Sequence, residues 1–169
     1  MKVLVTSKHS FDHLLSIKGI TEQNIEQISS SVCFISINGS DAYSCGDPDQ
    51  IPYIKNNKAN VLVQFFDDIT EVEKQAVKDE IKYKGLILFS EEQAAEIIKF
   101  MDANKDKKTC IVHCAAGIAR SGAVGEFIND YINGGTAENY REFKKNNPYT
   151  NPNGYVLRAL KRALIQKTA

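Results

Sequence analysis

Nine consecutive residues, His113-Cys114-Ala115-Ala116-Gly117-Ile118-Ala119-Arg120-Ser121, bring a thiol, a guanidinium and a hydroxyl together across small uncharged spacers. The apolar run at 109–113 before them reads as a buried strand, and 121–132 after them reads as an amphipathic helix. A short loop between a strand's carboxyl end and a helix's amino end is a natural anion site. Its N–H groups can curl inward, and the helix dipole adds positive character. Ala115, Ala116, Gly117 and Ala119 are small enough for backbone to approach an anion closely, and Ile118 leaves the ring uncharged. Arg120 can close the ring with a two-pronged hydrogen bond onto two oxygens. A field that binds phosphate also stabilises a thiolate, so Cys114 is expected to have a lowered pKa and to be the nucleophile. Ser121 can hydrogen-bond the sulfur and help it leave. His113 continues the strand, and its side chain is expected to point away and order the loop.

The elements that must position this loop are short apolar strands alternating with helices. Residues 2–6, 31–37, 60–66 and 109–113 read as strands, apolar enough to be covered on both faces. Helices are expected at 21–29, 90–102, 121–132, 136–145 and 153–166. Ser90 with Gln93 supplies a capping box for the second of these, and Asn133-Gly134-Gly135 breaks the chain between the third and fourth. The fold class is therefore α/β, with a central, mostly parallel sheet of four to five strands flanked by helices. Residues 38–57, rich in Gly, Asp, Pro and Asn, read as a long surface loop.

The signature resembles H-C-x-x-G-x-x-R-S of the protein tyrosine phosphatase superfamily, and HCAAGIARSG is most similar to its compact dual-specificity branch, including small bacterial and viral relatives. A bare Cys-x5-Arg is a weak signal. The flanking His and Ser, the central Gly and the strand–helix context make this one specific. The resemblance implies the cysteine-phosphatase fold and a two-step reaction through a phosphocysteine, without metal or cofactor. It also implies a general-acid Asp on a loop after an upstream strand. Asp68 matches that position better than Asp67, while the pair could instead cap a helix beginning near Thr70. Compact relatives carry Pro-Asn at the start of the last helix, where the Asn braces the signature loop. Pro152-Asn153 matches, and capping and bracing by Asn153 are compatible. The sequence lacks the Asn-Arg-Tyr clamp of the large tyrosine phosphatases. The interval from Asp68 to Cys114 is longer than in many compact relatives, with an extra helix and loop expected at 71–88.

The whole chain sets the remaining bounds. At 169 residues it fits one phosphatase domain, 1–169. It carries 21 basic and 21 acidic residues, with 43% hydrophobic residues, which removes any global argument for a nucleic-acid or membrane-surface protein. No CxxC pair is present, so neither a zinc site nor a disulfide framework is expected. His9 and His13, four apart with no accompanying carboxylate motif, read as surface residues. No segment has the length of a signal peptide's apolar region or a membrane span, so a cytoplasmic protein is expected. Cys110 reads as core and Cys45 as loop; these two thiols are the ones a regulatory disulfide to Cys114 would use. Hydrolysis of phosphotyrosine, and of phosphoserine or phosphothreonine, on a phosphoprotein is the leading function. A phosphatase for nucleotides, RNA 5′ ends or phosphoinositides is the alternative, disfavoured by the uncharged loop. A non-catalytic phosphate-binding module ranks last, since Cys114, Arg120 and an acid are all present.

Overall fold

The computed structural model describes residues 1–42, 51–74 and 85–168. Four strands, β1 (Lys2–Ser7), β2 (Val32–Asn38), β3 (Val61–Phe65) and β4 (Thr109–Cys114), form one sheet in the order β1-β4-β2-β3, every neighbouring pair parallel. Helices α1 (Lys8–Ile17), α2 (Glu91–Asn104), α3 (Arg120–Asn133), α4 (Ala137–Asn146) and α5 (Gly154–Thr168) accompany them among the described residues. The expected strands are each present to within a residue or two. The chain is thus the α/β sheet with flanking helices that its apolar runs imply.

Parallel strands need helices on both faces, and side-chain alternation sorts the core accordingly. Cys33, Ile35, Ile37, Leu62, Cys110, Val112 and Cys114 point to one face, under α2, α3 and α5. Phe34, Val61, Val63 and Ile111 point to the other, where Phe11 and Leu15 of α1 meet Ile25 and Ile54. β1 is an edge strand. Its free side is occupied by a buried amide: Asn147 accepts from Val5 N–H at 2.7 Å and donates to the Val3 carbonyl at 3.0 Å. One side chain thereby satisfies two edge groups that would otherwise invite another strand.

Two expectations about helices are corrected. Residues 21–29 form only a 3-10 turn at Ile25–Ile28. Asn24 accepts from Thr21 N–H at 2.7 Å and donates to the Gly19 carbonyl at 2.9 Å, and such local bonding competes with a helix. In contrast, α1 has no counterpart among the expected helices. Ser7 caps it by accepting from Ser10 N–H, but its buried face carries only Phe11, Leu15 and the stem of Lys8. Its apolar stripe is too thin to stand out in sequence. The remaining helices fall where expected. α2 begins at the Ser90–Gln93 capping box, and Gln93 also donates to the Phe65 carbonyl at 2.8 Å, fixing the helix to the end of β3.

The stretch 38–57 is not a simple surface loop. Asn38 belongs to β2, Ala42 and Pro52 are buried, and Ile54 is in the core, while 43–50, with Cys45, lie outside the described residues. Residues 71–74 are helical as expected, and 75–84 lie outside the described residues.

Candidate active site

β4 delivers Cys114 as its last residue, one position further than the apolar run indicates. The thiol is 2% exposed, and its Sγ lies 3.0 Å from Ser121 Oγ on the first turn of α3. Between them, the loop 115–119 turns on Gly117, whose φ is +74°. A Cβ at Gly117 would lie 2.5 Å from Ser7 N and from the Thr6 carbonyl carbon, so only glycine lets the loop pass the end of β1.

The carbonyls of this loop are tied to its surroundings. That of Ala115 accepts from Lys8 N–H, that of Ile118 from Asn151 N–H, and that of Ala119 from both Ala123 and Asn153 N–H. No peptide bond is cis. In a trans peptide the N–H points opposite to its C=O, so the N–H groups of Ala116, Ala119 and Arg120 are turned away from those neighbours. α3 has no side-chain cap and no acidic residue in its first turn, which leaves its positive end open to an anion. Arg120 Nη1 donates to the Phe66 carbonyl at 2.9 Å. That bond anchors the guanidinium to the end of β3 and leaves further N–H donors over the cleft.

His113 is buried, stacked on Phe11 with ring centroids 4.2 Å apart, and its Nε2 lies 2.8 Å from Ser36 Oγ. Asn38 Nδ2 donates to the same hydroxyl at 3.2 Å. Ser36 has one proton to give, and His113 Nε2 is the acceptor in reach, so the network is satisfied when the hydroxyl donates and Nδ1 carries the ring proton. Nδ1 itself has no hydrogen-bond partner at normal geometry. Burial lowers the His113 pKa to about 3, assisted by the positive charge of Lys8, and the adjacent Cys114 backbone opposes the shift. The ring is therefore neutral and turned into the sheet beneath the loop.

Both aspartates after β3 line the cleft, but their bonding differs. Asp67 accepts from Ser40 N–H at 3.1 Å and from Ile87 N–H at 2.7 Å, clasping two loops. Asp68 is exposed and accepts from Asn153 Nδ2 at 2.7 Å. Neither caps the turn at 71–74. Thr70 does so, exchanging bonds with Glu73. Asn153 makes three sets of bonds. Its Oδ1 accepts from Tyr155 and Val156 N–H at the start of α5, its own N–H holds the Ala119 carbonyl, and its amide holds Asp68 and the Ile69 carbonyl.

The cleft, 320 Å³ in volume, also includes Lys8 and Asp41, which the sequence reading did not single out. Ser7 with Ser10 is the signal that would have found α1 and hence Lys8. Asp41 has no local signature; it approaches because Gly39 lets Asp41, Asp67 and Arg120 converge on its Cα, where a Cβ would lie 2.7 Å from Asp41 Oδ1.

His9 and His13 are exposed, as expected, and among the described residues no three His, Cys, Asp or Glu side chains cluster to hold a metal. A disulfide from Cys110 to Cys114 is excluded by their places on one strand. Four residues of strand span about 13 Å, twice the Cα separation a disulfide tolerates. Cys110 instead pairs in register with Cys33 of β2, both fully buried and reduced. Cys45 lies outside the described residues.

No protein-family model matches the sequence, and no curated protein sequence matches it. Solved structures do. The PTP-2 phosphatase of Cydia pomonella aligns over 96% of this chain and 85% of its own, with a TM-score of 0.51 at 13% identity. Tk-PTP in its active form aligns over 85% of each chain, with a TM-score of 0.46 at 19% identity. The human tyrosine phosphatase-like serine/threonine/tyrosine-interacting protein covers 86% of this chain and 83% of its own, with a TM-score of 0.43 at 16% identity. At such identities the likeness is one of fold.

Proposed function

The chain has the protein tyrosine phosphatase fold, and on that frame we propose that it is a cysteine-dependent phosphate-monoester hydrolase acting on phosphoproteins. The observation that carries this reading is the Cys114 thiol at the base of a loop whose Ala115, Ile118 and Ala119 carbonyls are bonded to neighbouring segments, with Ser121 Oγ 3.0 Å from the sulfur. In the first step the Cys114 thiolate attacks phosphorus. The bond to the leaving oxygen breaks as Asp68 gives that oxygen its proton. The loop's N–H groups and Arg120 hold the three equatorial oxygens, where charge is concentrated in the transition state. In the second step the Asp68 carboxylate takes a proton from water, the water oxygen bonds to phosphorus, and the P–S bond breaks. Ser121 donates to the departing sulfur, and inorganic phosphate leaves.

Phosphotyrosine, and phosphoserine or phosphothreonine, are the substrates this reading assigns. Nucleotide, RNA 5′-end and phosphoinositide substrates fit less well, because Asp41, Asp67 and Asp68 line the cleft beside Lys8 and Arg120 and would repel additional phosphates. The thiolate chemistry requires a reducing compartment such as the cytoplasm. No helix among the described residues is long and apolar enough to cross a membrane.

Hydrolysis of p-nitrophenyl phosphate tests the reading directly. Wild-type protein is expected to turn it over, and Cys114→Ser to lose at least about 10³-fold in kcat. Equal rates in the two proteins would sink it. Rates on phosphotyrosyl and phosphothreonyl peptides, a nucleotide and a phosphoinositide then rank the substrate classes.

A further inference from the structure

We propose that Arg158 is a positioning residue for the general acid, keeping Asp68 in register with the signature loop by holding Glu71 against the start of α5. This rests on the phosphatase reading with Asp68 as its acid, and extends it to the side chains that fix where that acid stands.

Residues 68–74 are tied to one strip of the chain, 153–158. Asn153 Nδ2 donates to Asp68 Oδ1 at 2.7 Å and to the Ile69 carbonyl at 3.0 Å. Three residues beyond Asp68, Glu71 Oε2 accepts from Arg158 Nη2 at 3.2 Å. Lys74, three further on, places its ammonium 4.9 Å from the centroid of the Tyr155 ring and 3.7 Å from Glu71. Tyr155 and Arg158 are three apart on α5 and so share a face. Tyr155 is itself fixed, buried with its hydroxyl donating to the Phe89 carbonyl at 2.9 Å. Gly154 leaves room for the guanidinium: a Cβ there would lie 3.1 Å from Arg158 Nη1.

The same strip also holds the signature loop, since Asn153 N–H donates to the Ala119 carbonyl at 3.1 Å. One helix start thus relates the group that gives the proton to the loop that holds the phosphate. Asn153 and the buried Ile69 side chain hold the acid's segment at its beginning. A segment held at one end can pivot about it, and Glu71 and Lys74 supply the second and third points of attachment. Proton transfer needs the carboxyl within hydrogen-bond reach of the leaving oxygen, so a small pivot is costly there and nowhere else in the reaction. The Arg158 guanidinium holds the Glu71 carboxyl below its ordinary range, so the pair stays charged at neutral pH. Both partners are about half exposed, which makes the contact modest in strength and sensitive to salt.

The test measures kcat/KM for p-nitrophenyl phosphate and phenyl phosphate, whose leaving groups differ in their need for a proton. The proteins compared are wild type, Arg158→Gln, Glu71→Gln, Arg158→Lys, Asp68→Asn and Asp68→Asn/Arg158→Gln. Arg158→Gln and Glu71→Gln are each expected to lower the value for phenyl phosphate about three-fold and to leave that for p-nitrophenyl phosphate unchanged. Arg158→Lys should restore most of the loss, and added salt should reproduce it in wild type. Once Asp68 is Asn, Arg158→Gln should cost nothing further, because it acts through that carboxyl. Melting temperatures show which variants fold; if Arg158→Gln does not, Glu71→Gln, at the other end of the pair, carries the comparison. Equal losses on the two substrates, no loss on phenyl phosphate, or a further loss in the Asp68→Asn background overturns the proposal and leaves the phosphatase. If wild type hydrolyses neither substrate, or Cys114→Ser matches it, the phosphatase reading falls and the positioning role with it.

Discussion

At Asp67 both carboxylate oxygens accept backbone N–H bonds, from residues 27 and 20 positions away in sequence, whereas Asp68 meets the cleft with Asn153 as its partner. The two neighbours should therefore respond differently to removal of the negative charge. Asp68→Asn is expected to lower kcat/KM by about 10²-fold for alkyl and other poor leaving groups, with little effect on p-nitrophenyl phosphate, whose leaving group needs no proton. Asp67→Asn should keep the wild-type dependence on leaving group and lower the unfolding midpoint instead. A series of aryl and alkyl phosphates reads both, and a steep dependence appearing in Asp67→Asn would exchange the two roles. At this scale the nine-residue signature was fully legible, because its chemistry is contiguous. The different hydrogen bonding of the two aspartates and the presence of Lys8 and Asp41 in the cleft were not, because their partners are assembled by the fold. The link from Ser36 to His113 was equally hidden, since Ser36 lies in a run that reads only as a buried strand.

The turn between β4 and α3 depends on one glycine in a way that the other positive-φ glycines do not share. Gly117 has φ +74° and backbone of β1 within 2.5 Å of a would-be Cβ, whereas Gly19 has φ +63° with nothing within 4 Å. Gly117→Ala should destabilise by about 2–4 kcal/mol, since strain and clash combine. Gly19→Ala should cost about 1–2 kcal/mol from backbone conformation alone. Urea midpoints of the two variants check the contrast, and equal losses would mean that the loop can relax away from Ser7. The strands were legible as elements because each is apolar on both faces, and α2 because Ser90 and Gln93 announce its start. α1 escaped notice because its exposed face is polar and its buried face holds two large apolar residues. The helix expected at 21–29 gave way to the local bonds of Asn24.

For the molecule as a whole, His113 couples the floor of the site to acid stability. Its folded pKa, about 3, lies below the ordinary histidine value of 6.5. Between those values the unfolded chain binds the extra proton, so stability is complete above about pH 6.5 and falls as pH drops towards 3. Thermal unfolding should therefore weaken steadily from pH 6.5 to pH 4, by an amount on the order of a few kcal/mol. A folded His113→Gln variant should lose less over the same range, and an identical slope would place the acid sensitivity elsewhere.

The strand order carries a consequence for how the molecule comes into being. Among the described residues β1 has β4 as its only strand neighbour, about a hundred residues later in the chain, and β4 also joins β1 to the β2–β3 pair. During synthesis β1 and the β2–β3 pair must therefore wait as separate pieces until residue 114 has left the ribosome, which makes the closing contact a long-range and comparatively slow one. That same closure brings Gly117 against Ser7 and Ala115 against Lys8. On the proposed mechanism, Cys114 and the loop that holds the phosphate come together only once β4 has locked the two halves together.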